Sequence, residues 1–282
     1  MTTTTAIAYP LAWRIIGALL TAISGATLPV LLVIIVAGIH YFPPLMLMRV
    51  FSILVLAPAS AAWLIKRAFT ARVEVTGGTL VIERHELRVE IPCRAIARIT
   101  AWTIPLPGTG LWLRLQSGRR FRYGLQLDDP TALLEALAEA GGLEGARVLL
   151  QHPSVLYARA KHSGPRWRWY HLLLKFPAFA LVPTLPLFRV DQIIVWGGTF
   201  GQYYLRGLKP YLQGFGLLWT VVTIDLVIYA GGWRILAEAG VLLAAWAAPS
   251  RAARVRRLAE VACRVLYYVG IPALLIRRFL PW

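Results

Sequence analysis

The chain carries two kinds of hydrophobic pattern. Residues 15–39, IIGALLTAISGATLPVLLVIIVAGI, contain no formal charge over 25 positions. As a helix, that run crosses a hydrocarbon core of about 30 Å with some tilt. Residues 50–65, VFSILVLAPASAAWLI, are also uncharged and reach spanning length once Leu45 to Met48 are added, with Arg49 near that end. HYFPP at 40–44 joins the two runs and predicts a tight helical hairpin, with Tyr41 and Phe42 as interfacial anchors. From 67 to 142 the period shortens to two. Val73 and Val75 alternate with Arg72 and Glu74; Leu80 and Ile82 alternate with Thr79, Val81 and Glu83. Leu87, Val89 and Ile91 alternate with Arg88 and Glu90, and Leu111, Leu113 and Leu115 with Trp112, Arg114 and Gln116. Gly77-Gly78 and Ser117-Gly118 are turn signals, and Pro92 ends a strand. This alternation predicts an antiparallel sheet with one buried face. Asp129-Pro130 then starts a helix that carries Leu133, Leu134 and Leu137 on one side and stops at Gly141-Gly142.

Past 168 the long apolar runs return. Residues 211–230 hold one acid, Asp225, and 233–249 hold Arg234 and Glu238. The run 169–188 contains Lys175 and three prolines, and 259–276 contains Arg264 and Pro272. Four spans are expected, at 15–39, 45–65, 211–230 and 233–249. The runs 169–188 and 259–276 are left open between spanning, re-entrant and interfacial, giving 4–6 spans in all. If 169–188 spanned, the cluster Arg251, Arg254, Arg256 and Arg257 would fall on the side opposite the sheet, against the positive-inside rule. Lys66, Arg67 and Arg72, directly after the second run, place the sheet on the cytoplasmic side. Four regions result: a transmembrane hairpin (1–66), a cytoplasmic β domain (67–142), a basic connector broken at Pro153, Gly164 and Pro165 (143–168), and a C-terminal membrane region (169–282). MTTTTAIAYP reads as a disordered or surface-lying tail, and the first apolar run is too long, with no Lys or Arg in residues 1–13, for a signal peptide.

Composition strengthens the membrane reading: 58% of residues are hydrophobic and 15% charged. The net charge is +17, from 30 Lys and Arg against 13 Asp and Glu. In a membrane protein that excess is explained by cytoplasmic flanks and anionic lipid, so nucleic acid is set aside as a partner. Cys93 and Cys263 lie far apart with no CxxC spacing, which argues against a disulfide framework or zinc site. The five histidines (40, 85, 152, 162 and 171) show no ligand spacing. GTG, GGTFG and GFG lack the strand and the Lys-Ser/Thr of a phosphate loop. Neither a nucleophile elbow nor a paired-carboxylate motif occurs, and no cofactor is expected.

The run RVEVTGGTLVIERHELRVEIPCRAIARIT, with the later GTGLWLRL, resembles the bacterial pleckstrin-homology-like (PH-like) domains found beside transmembrane helices. The shared features are a strand, a Gly turn, a second strand with basic-x-x-Ile-Pro, and a Gly-x-Gly before an apolar strand. The resemblance covers about 60 of the 282 residues. It implies a small antiparallel β barrel capped by a C-terminal helix, and it brings no catalytic residue. The expected fold is therefore α+β: an α-helical transmembrane bundle with an inserted PH-like barrel. The leading functional expectation is a non-enzymatic accessory, scaffold or assembly subunit of a bacterial inner-membrane complex, partnered by other membrane subunits and anionic lipids. Arg119, Arg120 and Arg122, with Arg251, Arg254, Arg256 and Arg257, are the candidate contact residues. Asp225, Arg234 and Glu238 form a candidate intramembrane polar site, since an acid in a span is costly and functional by default. Arg234 and Glu238, at i and i+4, are also placed to neutralise each other. Two alternatives stand beside this reading: a lipid-handling or small-solute transport protein acting through Asp225, and a membrane enzyme with an unrecognised site.

Overall fold

The computed structural model describes residues 2–38, 43–85, 87–163 and 169–279. His40 with the anchors Tyr41 and Phe42, and Gly164 to Arg168 of the connector, lie outside them. In chain order the elements are β1 (Thr2–Pro10), α1 (Leu11–Val36), α2 (Pro44–Ala68), β2 (Thr70–Thr76), β3 (Thr79–Arg84), β4 (Leu87–Pro92), β5 (Ile96–Ala101), β6 (Gly110–Leu115) and β7 (Tyr123–Leu127). They continue with α3 (Thr131–Gly141), α4 (Glu144–Leu149), α5 (Pro153–His162), α6 (Tyr170–Trp196), α7 (Gly201–Arg206), α8 (Leu208–Ala247), α9 (Ala252–Val265) and α10 (Ile271–Phe279).

The seven strands form one curled antiparallel sheet in the order β4-β3-β2-β1-β7-β6-β5. Of the alternating residues, Val73, Leu80, Ile82, Ile91, Leu111 and Leu113 are buried as expected, whereas Leu87 is exposed; Leu125 and Leu127 of β7 join the same core. Leu133, Leu134 and Leu137 of α3 close the open side of the curl. Asp129 Oδ1 accepts the Thr131 N–H at 2.9 Å, and Gly142 (φ +59°) stops α3 in the left-handed region. The expected N-terminal tail is instead β1, at the middle of the sheet. It pairs with β2 (Thr4↔Val73) and with β7 (Ala8↔Leu125). Its partners lie far along the chain, so local pattern gives no sign of it beyond a run of β-branched threonines. The hairpin α1–α2 is thus inserted between two adjacent strands.

Among the described residues, four helices are long and apolar enough to cross a membrane: α1, α2, α6 and α8. Two differ from expectation. Residues 169–188 belong to α6, which continues through Pro177, Pro183 and Pro186 to Trp196. A wider π turn at Leu174–Ala178 holds Pro177, and similar turns at Ser52–Leu56 and Leu266–Gly270 precede Pro58 and Pro272. A proline removes one helical hydrogen bond and crowds the carbonyl four residues back; a π turn absorbs both effects. The expected spans 211–230 and 233–249 are successive parts of the single helix α8, of 40 residues. Gly231-Gly232 does not break it. A Cβ on Gly232 would stand 2.7 Å from Leu32 Cβ and 3.1 Å from the Leu28 carbonyl oxygen, so the glycine pair admits α1 at close range.

At about 1.5 Å per residue, α8 is about 60 Å long, twice a hydrocarbon core. Its contacts divide it. Residues 224–233 pack on α1, whereas Val241 and Ala245 pack on Tyr157 of α5 and Ala252 of α9. The Ser154 hydroxyl of α5 in turn donates to the Trp102 carbonyl of the sheet at 2.8 Å. The last turns of α8 therefore run beside the sheet. α9 packs on this same stretch of α8 and on α5, and so lies near the sheet.

Candidate functional site

α5 bridges sheet and helices. Pro153 does not break the connector: it occupies the first turn of α5, where its missing N–H costs nothing. His152 Nδ1 accepts the Ser154 N–H at 3.3 Å, and its ring meets Trp246 of α8 edge-on at 5.7 Å. One turn on, the Tyr157 hydroxyl donates to Glu238 Oε2 at 2.7 Å. Glu238 Oε1 accepts from Arg256 Nη1 at 2.7 Å and pairs with Arg234 Nε at 3.1 Å. Arg256 Nε reaches Glu260 at 3.0 Å. Burial lowers the proton affinity of Arg256, but the hydrogen bonds and charges of Glu238 and Glu260 outweigh it and hold the guanidinium above its ordinary value. Burial and the same Glu238 carboxylate push the Tyr157 phenol up.

This network forms one wall of a half-open cavity of about 500 Å³. Among the described residues five cations line it: Lys161 of α5, Lys175 of α6, Arg234 of α8, and Arg256 and Arg264 of α9. Two carboxylates, Asp128 and Glu260, line it as well. Leu172, Phe176, Val227 and Ala230 supply an apolar side. Lys175 sits at the turn where α6 passes Pro177, with its ammonium 4.2 Å from the Tyr267 ring.

The structure sorts the candidate residues. Arg234 and Glu238 pair as the i,i+4 spacing implies, and Arg256 turns inward to join them. Arg251, Arg254 and Arg257 stay exposed on the outer face of α9. Arg119, Arg120 and Arg122 are exposed on the turn before β7. Tyr123 pairs with Pro10, the residue that leads into α1, so this turn lies at the helix end of the sheet. Asp225 does not line the cavity. Tyr157, Asp128, Lys161, Lys175 and Arg264 were not expected as a group. The signal for two of them was present: Lys175 and Arg264 are cations inside otherwise apolar runs, where charge is costly unless used. Among the described residues no cluster of His, Cys, Asp and Glu is suited to a metal ion. His85 sits on a turn with φ +46°, and His171 stacks on Tyr170. Cys93 is buried in the sheet core, and Cys263 lies 3.8 Å from the Trp233 carbonyl oxygen. Comparison with protein-family models, with curated proteins and with solved structures found no match.

Proposed function

We propose that this chain is a non-catalytic accessory or assembly subunit of a larger bacterial membrane complex, resident in the cytoplasmic membrane with its sheet on the cytoplasmic side. The observation that carries this reading is that the sheet is built around the helices. β1 and β2 are hydrogen-bonded neighbours, yet all of α1 and α2 stands between them in sequence. A second attachment runs through Ser154, Tyr157, Glu238 and Arg256. A module fixed at two places is suited to holding partners at a set distance from the bilayer. The strand order supports a PH-like fold: β2–β4 and β5–β7 flank β1, one helix follows β7, and the hairpin separates the first strand from the second. The exposed arginines on the β6–β7 turn and on α9 are suited to anionic headgroups or acidic partner surfaces.

The test is extraction of the natively expressed, tagged protein in mild detergent, with its mass and cross-links measured. A particle well above the 31.4 kDa monomer, cross-linked to a partner through both sheet and helices, is expected. A lone monomer contradicts the proposal. Lys175 and Arg234 converge on the cavity, but Glu238 and Glu260 beside them are engaged by Arg256, which favours contact over acid–base chemistry. The cavity lends nothing to transport through Asp225.

A further inference from the structure

We infer that the loop between β5 and β6, Trp102 to Thr109, places its Ile104 side chain in the headgroup boundary of the bilayer beside α1, so that the sheet rests on lipid as well as on the helices. The inference rests on the membrane residence proposed above. Both ends of the loop are fixed. Trp102 is buried, Arg14 Cζ of α1 lies 4.0 Å from the centroid of its ring, and its carbonyl accepts from the Ser154 hydroxyl. At the other end the Thr109 hydroxyl donates to the Leu127 carbonyl at 2.8 Å. Between these anchors Pro107 packs on α1: a Cβ on Gly17 would stand 3.7 Å from Pro107 Cγ.

That contact sets the depth. Gly17 is the third residue of the charge-free run 15–39. Its 25 residues, at about 1.5 Å each, extend about 37 Å, so a centred run overshoots a core of about 30 Å by about 4 Å at each end. Gly17, about 3 Å in from Ile15, then lies at the boundary between hydrocarbon and headgroups. Trp13 on α1 and Trp63 on α2 are exposed near the same ends of their runs, where a membrane interface collects tryptophan. Gly17 is about 6 Å deeper than Trp13.

The composition of the loop suits that depth. From Ile99 to Leu113 the sequence carries no formal charge, whereas the β6–β7 turn holds Arg119, Arg120 and Arg122. Ile104 is 63% exposed, and Thr103 beside it is exposed as well. A single exposed isoleucine is ordinary on a soluble loop; the height of this one along α1 is what gives it a lipid neighbour. Moving irregular backbone out of water is costly where N–H groups lose their partners. Pro105 and Pro107 have no N–H to lose, and the Leu106 N–H donates to the Ile104 carbonyl at 2.9 Å in a three-residue turn.

The full chain, in a background without Cys93 and Cys263, is labelled at single cysteines with an environment-sensitive nitrobenzoxadiazole dye and reconstituted into vesicles of phosphatidylcholine and phosphatidylglycerol. Quenching is read from phospholipids brominated high or low on the acyl chain, and from aqueous iodide on both sides of the vesicle. The dye on Ile104→Cys should lose more emission to bromines near the headgroup than to deeper ones, and little to iodide. Thr103→Cys, the exposed neighbour, should give the same order, so the outcome does not hang on one substitution. Val30→Cys, exposed near the middle of 15–39, should respond to deep bromines. Ala140→Cys is exposed beside the β2–β3 turn, at the opposite end of β2 from α2, and should respond to iodide alone. If the dyes on the loop respond to iodide as that on Ala140→Cys does, or to deep bromines as that on Val30→Cys does, the inference is overturned and membrane residence stands. A dye on Val30→Cys that is indifferent to bromines overturns both.

Discussion

Glu238 accepts hydrogen bonds from Tyr157 and Arg256 and pairs with Arg234, so one carboxylate joins three helices. Removing it leaves a nearly buried guanidinium with Glu260 alone. Glu238→Ala should cost about 2–4 kcal/mol, read as a lowered thermal midpoint in detergent. Glu238→Leu combined with Arg256→Met should cost less than Glu238→Ala, because it strands no buried guanidinium and takes partners only from the more exposed Arg234 and Glu260. A double variant worse than the single one would show that the pair is not coupled. His152 gives a pH dependence. Burial lowers its pKa below the ordinary value of 6.5, so the folded protein prefers the neutral ring, whose Nδ1 caps α5. That contribution is complete above about pH 6.5 and is lost as the pH falls below it. His152→Asn keeps a cap acceptor that does not titrate. The parent midpoint should drop more between pH 7 and pH 5 than that of the variant; parallel profiles contradict the assignment.

At the scale of elements, the glycines of α8 are unlike one another. A Cβ on Gly232 meets Leu32 and the Leu28 carbonyl oxygen, whereas nothing lies within 4 Å of one on Gly240. Gly232→Ala should therefore cost about 1–3 kcal/mol by pushing α1 away. Gly240→Ala should be neutral or stabilise by up to about 1 kcal/mol through helix propensity. Equal midpoints for the two variants would rule out the close α1–α8 approach. The same helix shows where sequence reading stops. Gly-Gly after an apolar run looks like a break, and only the facing Leu28 and Leu32 reveal it as a contact. The prolines of α6 mislead in the same way: Pro177 sits within a π turn, and the helix continues through Pro183 and Pro186. By contrast β2, β3, β4, β6 and α3 were legible, since period-2 alternation, Asp129 and Gly142 act locally. β1 was not legible, because a strand at the centre of a sheet is defined by neighbours far from it in sequence. The cavity was hidden for the same reason: Asp128, Lys161, Lys175, Arg234 and Arg264 come from five separate segments.

For the whole molecule, the proposed membrane residence fixes which elements share a side. α1 leaves the sheet and α2 returns to it; α6 leaves and α8 returns. With α1, α2, α6 and α8 as spans, the proposed membrane residence puts the sheet and α9 on one face of the bilayer and α7 on the other. Single cysteines in a background without Cys93 and Cys263 test this in intact cells with a membrane-impermeant thiol reagent. Suitable positions are Gly118→Cys on the β6–β7 turn, Ser250→Cys before α9 and Tyr204→Cys on α7, all exposed. Tyr204→Cys should label from outside, and Gly118→Cys and Ser250→Cys only after the cells are opened. Labelling of Gly118→Cys and Ser250→Cys from opposite sides, or of all three from the same side, would contradict it.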